Sequence, residues 1–147
     1  MRLACLYRFP LQFDALMVRC TFGTVFKAGA KSGSPSEASD PQLGARTFEI
    51  YVPLEHSYMP PAQKNAERWL DQSGALARKA LDMAIARLPD VLDSGLATVP
   101  VPPGTPVRNV KRVGHYSGDA IKQDSTGSLV SLGGTIWSYE FSHGVDR

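Results

Sequence analysis

The chain has 147 residues, 43% of them hydrophobic and 20% charged, with a formal net charge of +2. That is the size of a single domain with enough apolar material for a core, which excludes wholesale disorder. The small net charge gives no general attraction to nucleic acid, so a phosphate contact would have to come from a local cluster. No run of about 18 apolar residues occurs, which excludes a transmembrane helix.

The first residues, Met1-Arg2-Leu3-Ala4-Cys5-Leu6-Tyr7-Arg8-Phe9-Pro10, begin like a signal peptide. Arg8, Pro10 and Asp14 cut the apolar stretch short, and no small-residue cleavage site follows. Leu3-Ala4-Cys5 has the form of a lipoprotein cleavage box but lies too close to Met1 to follow a hydrophobic region. The expectation is a chain made and kept in the cytoplasm. Leu3, Cys5, Tyr7 and Phe9 alternate with Ala4, Leu6 and Arg8, the pattern of a strand with one face in the core. A turn near Gln12-Phe13 leads to a second strand over about 15–27, with Leu16, Val18, Cys20, Phe22 and Phe26 on one side. This pairing sets Cys5 opposite Cys20, the only cysteines of the chain. In a cytoplasmic protein two such thiols are expected to stay reduced in the core.

Residues 28–44 carry almost nothing that can be buried and predict an extended arm with a polar tip. Loops longer than about 12–15 residues are uncommon in compact domains and are usually functional or disordered. An arm of this kind can reach a second subunit and order there; its contact residues would be Lys31, Ser34, Pro35, Glu37, Asp40 and Gln42. A third strand is expected over 46–54, with Phe48, Ile50 and Val52 inward and Thr47, Glu49 and Tyr51 on a solvated face.

Pro60 and Pro61 precede the main helix, where a missing N–H costs nothing. Ala66, Trp69, Leu70, Leu76, Ala77, Ala80, Leu81, Ala84, Ile85 and Leu88 form one apolar stripe, the face that a helix turns to a core. The stripe stays in phase across Ser73-Gly74 and predicts one helix over 62–88, with Trp69, Leu70, Ala77, Leu81, Ala84 and Leu88 buried. Pro89 is expected to end it. A short strand over 96–101, made an edge or connector by Pro100, Pro102, Pro103 and Pro106, is expected next. Another strand is expected over 107–116, then a polar excursion to Gly127. The last strand, 128–142, changes phase at Gly133-Gly134, as a bulge or bend would. The fold class is therefore α+β: one domain over 1–147, a mostly antiparallel sheet with one long helix across a face and an extended β-arm.

Motifs for chemistry are sparse. His56, His115 and His143 lie far apart without ligand spacing. No nucleophile elbow or phosphate loop occurs, and Glu67 and Asp71 belong to a charged helix face. No metal, cofactor or catalytic site is assigned, and the reading is of a non-enzyme. Arg108, Lys111 and Arg112 form the one basic cluster, with His115 and Tyr116 beside it. Cations and an aromatic on a strand can hold single-stranded nucleic acid, though charges of this kind more often protect an edge.

The element order, strands with an extended tip, one main helix and a closing hairpin, resembles that of the small neck and tail-completion proteins of tailed phages. The resemblance covers element order alone and implies a homo-oligomeric ring within a virion. The expected function is thus a non-enzymatic assembly subunit with protein partners. The alternatives are a small inhibitor or regulatory protein with one macromolecular partner, and a small enzyme.

Overall fold

The computed structural model describes residues 2–26, 42–55, 62–97, 111–113, 116–132 and 136–147. Strands β1 (Arg2–Arg8), β2 (Ala15–Phe26) and β3 (Gln42–Pro53) precede helix α1 (Ala62–Ala97), and β4 (Lys111–Val113), β5 (Tyr116–Gln123), β6 (Gly127–Ser131) and β7 (Ile136–Phe141) follow it. The strands run in the order β1-β2-β3-β7-β6-β5-β4. All pairs are antiparallel except β3 with β7. A mostly antiparallel sheet with a long helix across one face is the α+β fold expected.

Strand alternation builds the core. Leu16, Val18, Cys20 and Phe22 on β2 stand in register with Val52, Ile50, Phe48 and Arg46 on β3. Trp137 and Tyr139 on β7 continue the row beside Phe48 and Ile50. Trp69, Ala80, Ala84 and Val91 of α1 close over it. At the far end of the helix, Gly95 is required: a Cβ there would run into the Phe48 ring and lie 3.2 Å from Trp137 Cγ. Phe48 and Trp137 stack below it with centroids 5.2 Å apart.

Helix α1 departs from the expected single rod in two ways. Asp71 is extended (ψ 151°), and Gln72, Ser73 and Gly74 are all left-handed, with φ of 49°, 58° and 76°. Gln72 N donates to Asp71 Oδ1 at 2.8 Å, and Arg78 Nη1 donates to the Ser73 carbonyl at 2.6 Å. These contacts offset part of the cost of left-handed non-glycine residues. Trp69 and Ala80, buried on either side of the break, are spaced in the sequence as about three turns of an unbroken helix would be, so the stripe reads as in phase and conceals the interruption. Leu70, expected in the core, is instead 75% exposed, because Asn65 and Trp69 turn the first segment's buried face away from it.

The helix also runs past Pro89 to Ala97, where an end and then a strand were expected; residues 98–101 lie outside the described set. A proline inside a helix costs about 3 kcal/mol. Against that, α1 gains burial of Val91, about 1.5–3 kcal/mol for a side chain of that size, and an end cap. Arg46, buried beneath the helix end, donates from Nη1 to the carbonyls of Gly95 and Leu96 at 3.3 and 3.2 Å. Its guanidinium lies 5.4 Å from the Trp137 ring centroid.

Further differences concern the strands. β3 begins at Gln42, opposite Phe26, so the arm is paired four residues closer to its tip than expected. The polar excursion after Tyr116 is itself a strand, β5, with a register shift between Ala120 and Lys122. The single last strand expected over 128–142 is two strands, β6 and β7, which pair as a hairpin; Gly133 and Gly134, where the phase changes, lie outside the described residues. The face away from α1 is not simply solvated. Glu49 and Tyr51 are buried there, because Arg19 Nε donates to Glu49 Oε1 at 2.6 Å and Tyr51 donates to Asp14 Oδ2 at 3.1 Å. The two cysteines are bonded to each other, not reduced.

Candidate interaction surface

β1 forms one free edge of the sheet. Leu3, Cys5 and Tyr7 stand opposite Phe22, Cys20 and Val18, so they occupy the face on which α1 packs. The helix packs chiefly on β2, β3 and β7 and leaves the side chains of β1 largely exposed. Leu3 is 45% exposed and Tyr7 64%, where alternation alone predicted a core-facing side, and Leu6 on the other face is 55% exposed. Both faces of β1 therefore present apolar side chains to solvent, next to a row of outer backbone N–H and C=O groups that no strand among the described residues pairs. An apolar edge of this kind invites another strand.

Between β1 and α1 runs an apolar groove of about 120 Å³, lined by Cys5, Leu6, Tyr7, Val18, Cys20, Leu81, Ala84, Ile85 and Leu88. Ile85, 56% exposed, forms the helix rim. The Cys5–Cys20 disulfide joins β1 to β2 at the middle of this wall, with Cα atoms 4.1 Å apart. At the lower end, Phe9 stacks on Phe13 and lies 5.2 Å from the Trp69 ring. Trp69 Nε1 donates to the Phe13 carbonyl at 2.7 Å and Asn65 Nδ2 to the Gln12 carbonyl at 2.9 Å. The wall of the groove is thus fixed at its turn and at its centre.

A second concavity, about 330 Å³, opens at the break in α1 beside Arg68, Asp71, Gln72, Ala75, Leu76 and Lys79. Its cations are engaged structurally. Arg68 pairs with Asp146, and Lys79 Nζ donates to the Val145 carbonyl at 2.6 Å. These contacts dock the C-terminal residues, whose Val145 N also donates to the Pro53 carbonyl at 2.9 Å. At the opposite end of α1, Arg87 joins Asp90 and Asp124 and lies 4.7 Å from the Tyr139 ring centroid. Asp124 Oδ1 accepts from Thr126 Oγ1 and Thr126 N. These bonds, with a lesser contribution from Arg87, hold the Asp124 carboxyl well below the usual carboxylate range against an opposing desolvation penalty.

Of the arm residues singled out in the sequence, Lys31, Ser34, Pro35, Glu37 and Asp40 lie outside the described residues, and Gln42 pairs with Phe26 in the sheet. Of the basic cluster, Lys111 and Arg112 lie on β4, the opposite edge strand, and Arg108 lies outside the described residues. His56 and His115 do as well, while His143 sits beside Arg147 at the surface. Glu67 and Asp71 are exposed; Glu67 accepts from Gln63 and Asp71 serves the helix break. Among the described residues, no group of three or more His, Cys, Asp or Glu could hold a metal, and no helix is long and apolar enough to cross a membrane. The groove escaped sequence reading because its residues other than Leu6 were assigned to the core or to the apolar stripe of the helix. Compared with protein-family models, curated proteins and solved structures, the chain matches none.

Proposed function

We infer that the chain is a non-enzymatic docking subunit of a larger assembly and that β1 is its contact edge. The observation that carries this reading is the exposure of Leu3, Leu6 and Tyr7 along an edge strand beside an apolar groove. Exposed apolar surface of this type marks a protein interaction site. The finer reading, a neck or tail-completion component of a phage particle, rests on element order alone. The disulfide supports a life outside the cytosol, since such bonds persist in oxidising surroundings such as a released particle.

Affinity purification from the source cells, with the wild-type chain beside a Leu6→Lys/Tyr7→Lys chain, tests the reading. A complex formed by the first and lost by the second is the expected result. Partners retained equally by both would remove β1 from the contact, and a turnover assay abolished by a single polar substitution would overturn the non-enzymatic role.

A further inference from the structure

The chemistry of β1 narrows the kind of partner. Its sequence, Arg2-Leu3-Ala4-Cys5-Leu6-Tyr7-Arg8, is an apolar run closed at both ends by arginine, with no acidic residue. The antiparallel register that would pair the whole strand with a second copy of itself sets Arg2 opposite Arg8 at both ends. Like charges directly opposite each other destabilise a strand pair. The other sheet edge, β4, carries Lys111 and Arg112, so head-to-tail addition of copies through their two edges again meets cation with cation.

Resting on the docking reading above, we propose that β1 receives an extended apolar segment of a different protein, with carboxylates near its ends, as the next strand of the sheet. The main-chain groups of β1 supply the ladder, as in other strand-addition complexes. Residues alternating along the incoming strand point to the two faces in turn. Those on the helix side meet the groove. An apolar cavity of about 150 Å³ holds a benzene, so about 120 Å³ accepts one aliphatic side chain. The carboxylates fall opposite the register positions of Arg2 and Arg8. Because the disulfide and the Phe9-Phe13-Trp69 cluster hold the edge in place before binding, little ordering cost falls on this side.

The test uses the full chain and a labelled peptide of 7 residues, the length of β1, alternating valine and threonine with glutamate at both ends. Fluorescence polarisation reads affinity, and amide shifts in NMR spectra locate the contact. The expected result is saturable binding with shifted amides on β1 and around the groove. Affinity should exceed that of the lysine-ended peptide by about tenfold, as two exposed ion pairs would give, and the gap should close in high salt. Arg8→Glu should reverse part of the preference, and Leu6→Lys should abolish binding of both peptides, with circular dichroism confirming that each variant is folded. Equal affinity for the two peptides, or no binding of either, overturns the proposal. Light scattering on the same samples separates the two levels of failure. A dimer dissolved by Leu6→Lys would put a second copy on β1 and leave the docking reading standing. A monomer that binds no peptide and loses no partner on Leu6→Lys would remove both.

Discussion

β1 and β2 are neighbours with the same apolar alternation, yet one is core and the other is surface. Leu16, Val18, Cys20 and Phe22 are buried under α1, while Leu3 and Tyr7, across the pair from Phe22 and Val18, face solvent. The difference is not in the residues but in the reach of one helix, which packs chiefly on β2, β3 and β7 and leaves β1 exposed at the margin. Alternation states which side of a strand is apolar. Whether anything lies on that side is decided by the rest of the fold or by another molecule.

The comparison is broken most directly in the covered region. Trp137 is fully buried against Phe48 and below Gly95. Trp137→Ala should therefore cost about 3–5 kcal/mol in urea unfolding, the range for deleting a buried aromatic. Its Nε1 has no hydrogen-bond partner among the described residues, so Trp137→Phe should lose much less, since it removes an N–H that gains nothing from burial. A loss below 1 kcal/mol for the alanine variant, an order-of-magnitude threshold for a core change, would mean that α1 does not close over this part of the sheet.

The disulfide should give the next largest effect, and it separates the two strands by mechanism. Cys20 is buried and Cys5 is exposed, and the bond closes a sequence separation of 15. A loop of that length predicts about 3 kcal/mol of stabilisation through the unfolded state. Cys5→Ser with Cys20→Ala should lower the unfolding midpoint accordingly, and reductant should have the same effect on wild type and none on the variant. Amide exchange should then rise on β1 well before β2. Equal exchange on both strands would show that β1 is held by packing and not by the bond.

These features differ in how far the sequence disclosed them. The three N-terminal strands, the helix start and the α+β class follow from alternation, helical periodicity and Pro60-Pro61, because those signals are local. The extension past Pro89 is not local. It depends on Arg46, about fifty residues upstream, reaching the carbonyls of Gly95 and Leu96. The break at Gln72-Ser73 preserves the phase of the stripe, so periodicity cannot detect it. The groove was hidden for a third reason. Leu81, Leu88 and Val18 have the composition of a core, and only the sheet order reveals that a strand beyond β2 lies uncovered. The cysteine pairing could be placed in register from the sequence, but its oxidation was judged from an assumed compartment.

A smaller effect concerns the far end of the sheet, where polar groups replace packing. Asp124 is held ionised by the Thr126 hydroxyl and N–H and by Arg87. Its folded-state pKa lies below its unfolded one. The stability it contributes is therefore fully present above the ordinary carboxylate range, about pH 4, and is lost as pH falls toward the lower folded value. Asp124→Asn should lower stability near neutrality, and its difference from wild type should shrink as the acid limb is entered. A constant difference across that range would mean that the carboxylate charge plays no part in the β5–β6 turn.

The smallest effect on stability should come from the residues most exposed for their type. Leu6 stands opposite Arg19 on the face away from α1, more than half exposed, and also lines the rim of the groove. Leu6→Lys removes little buried area and adds a charge that water can solvate, so its cost should stay within about 0.5 kcal/mol. The same change at Leu16, fully covered on β2, would bury an unpaired ammonium and should abolish folding. If Leu6→Lys proved as damaging as a core substitution, β1 would be packed in a way its exposure does not express. If it left stability intact while raising solubility and lowering association, the apolar surface of β1 would have no role in holding the fold, and its cost in solution would be explained by what it binds.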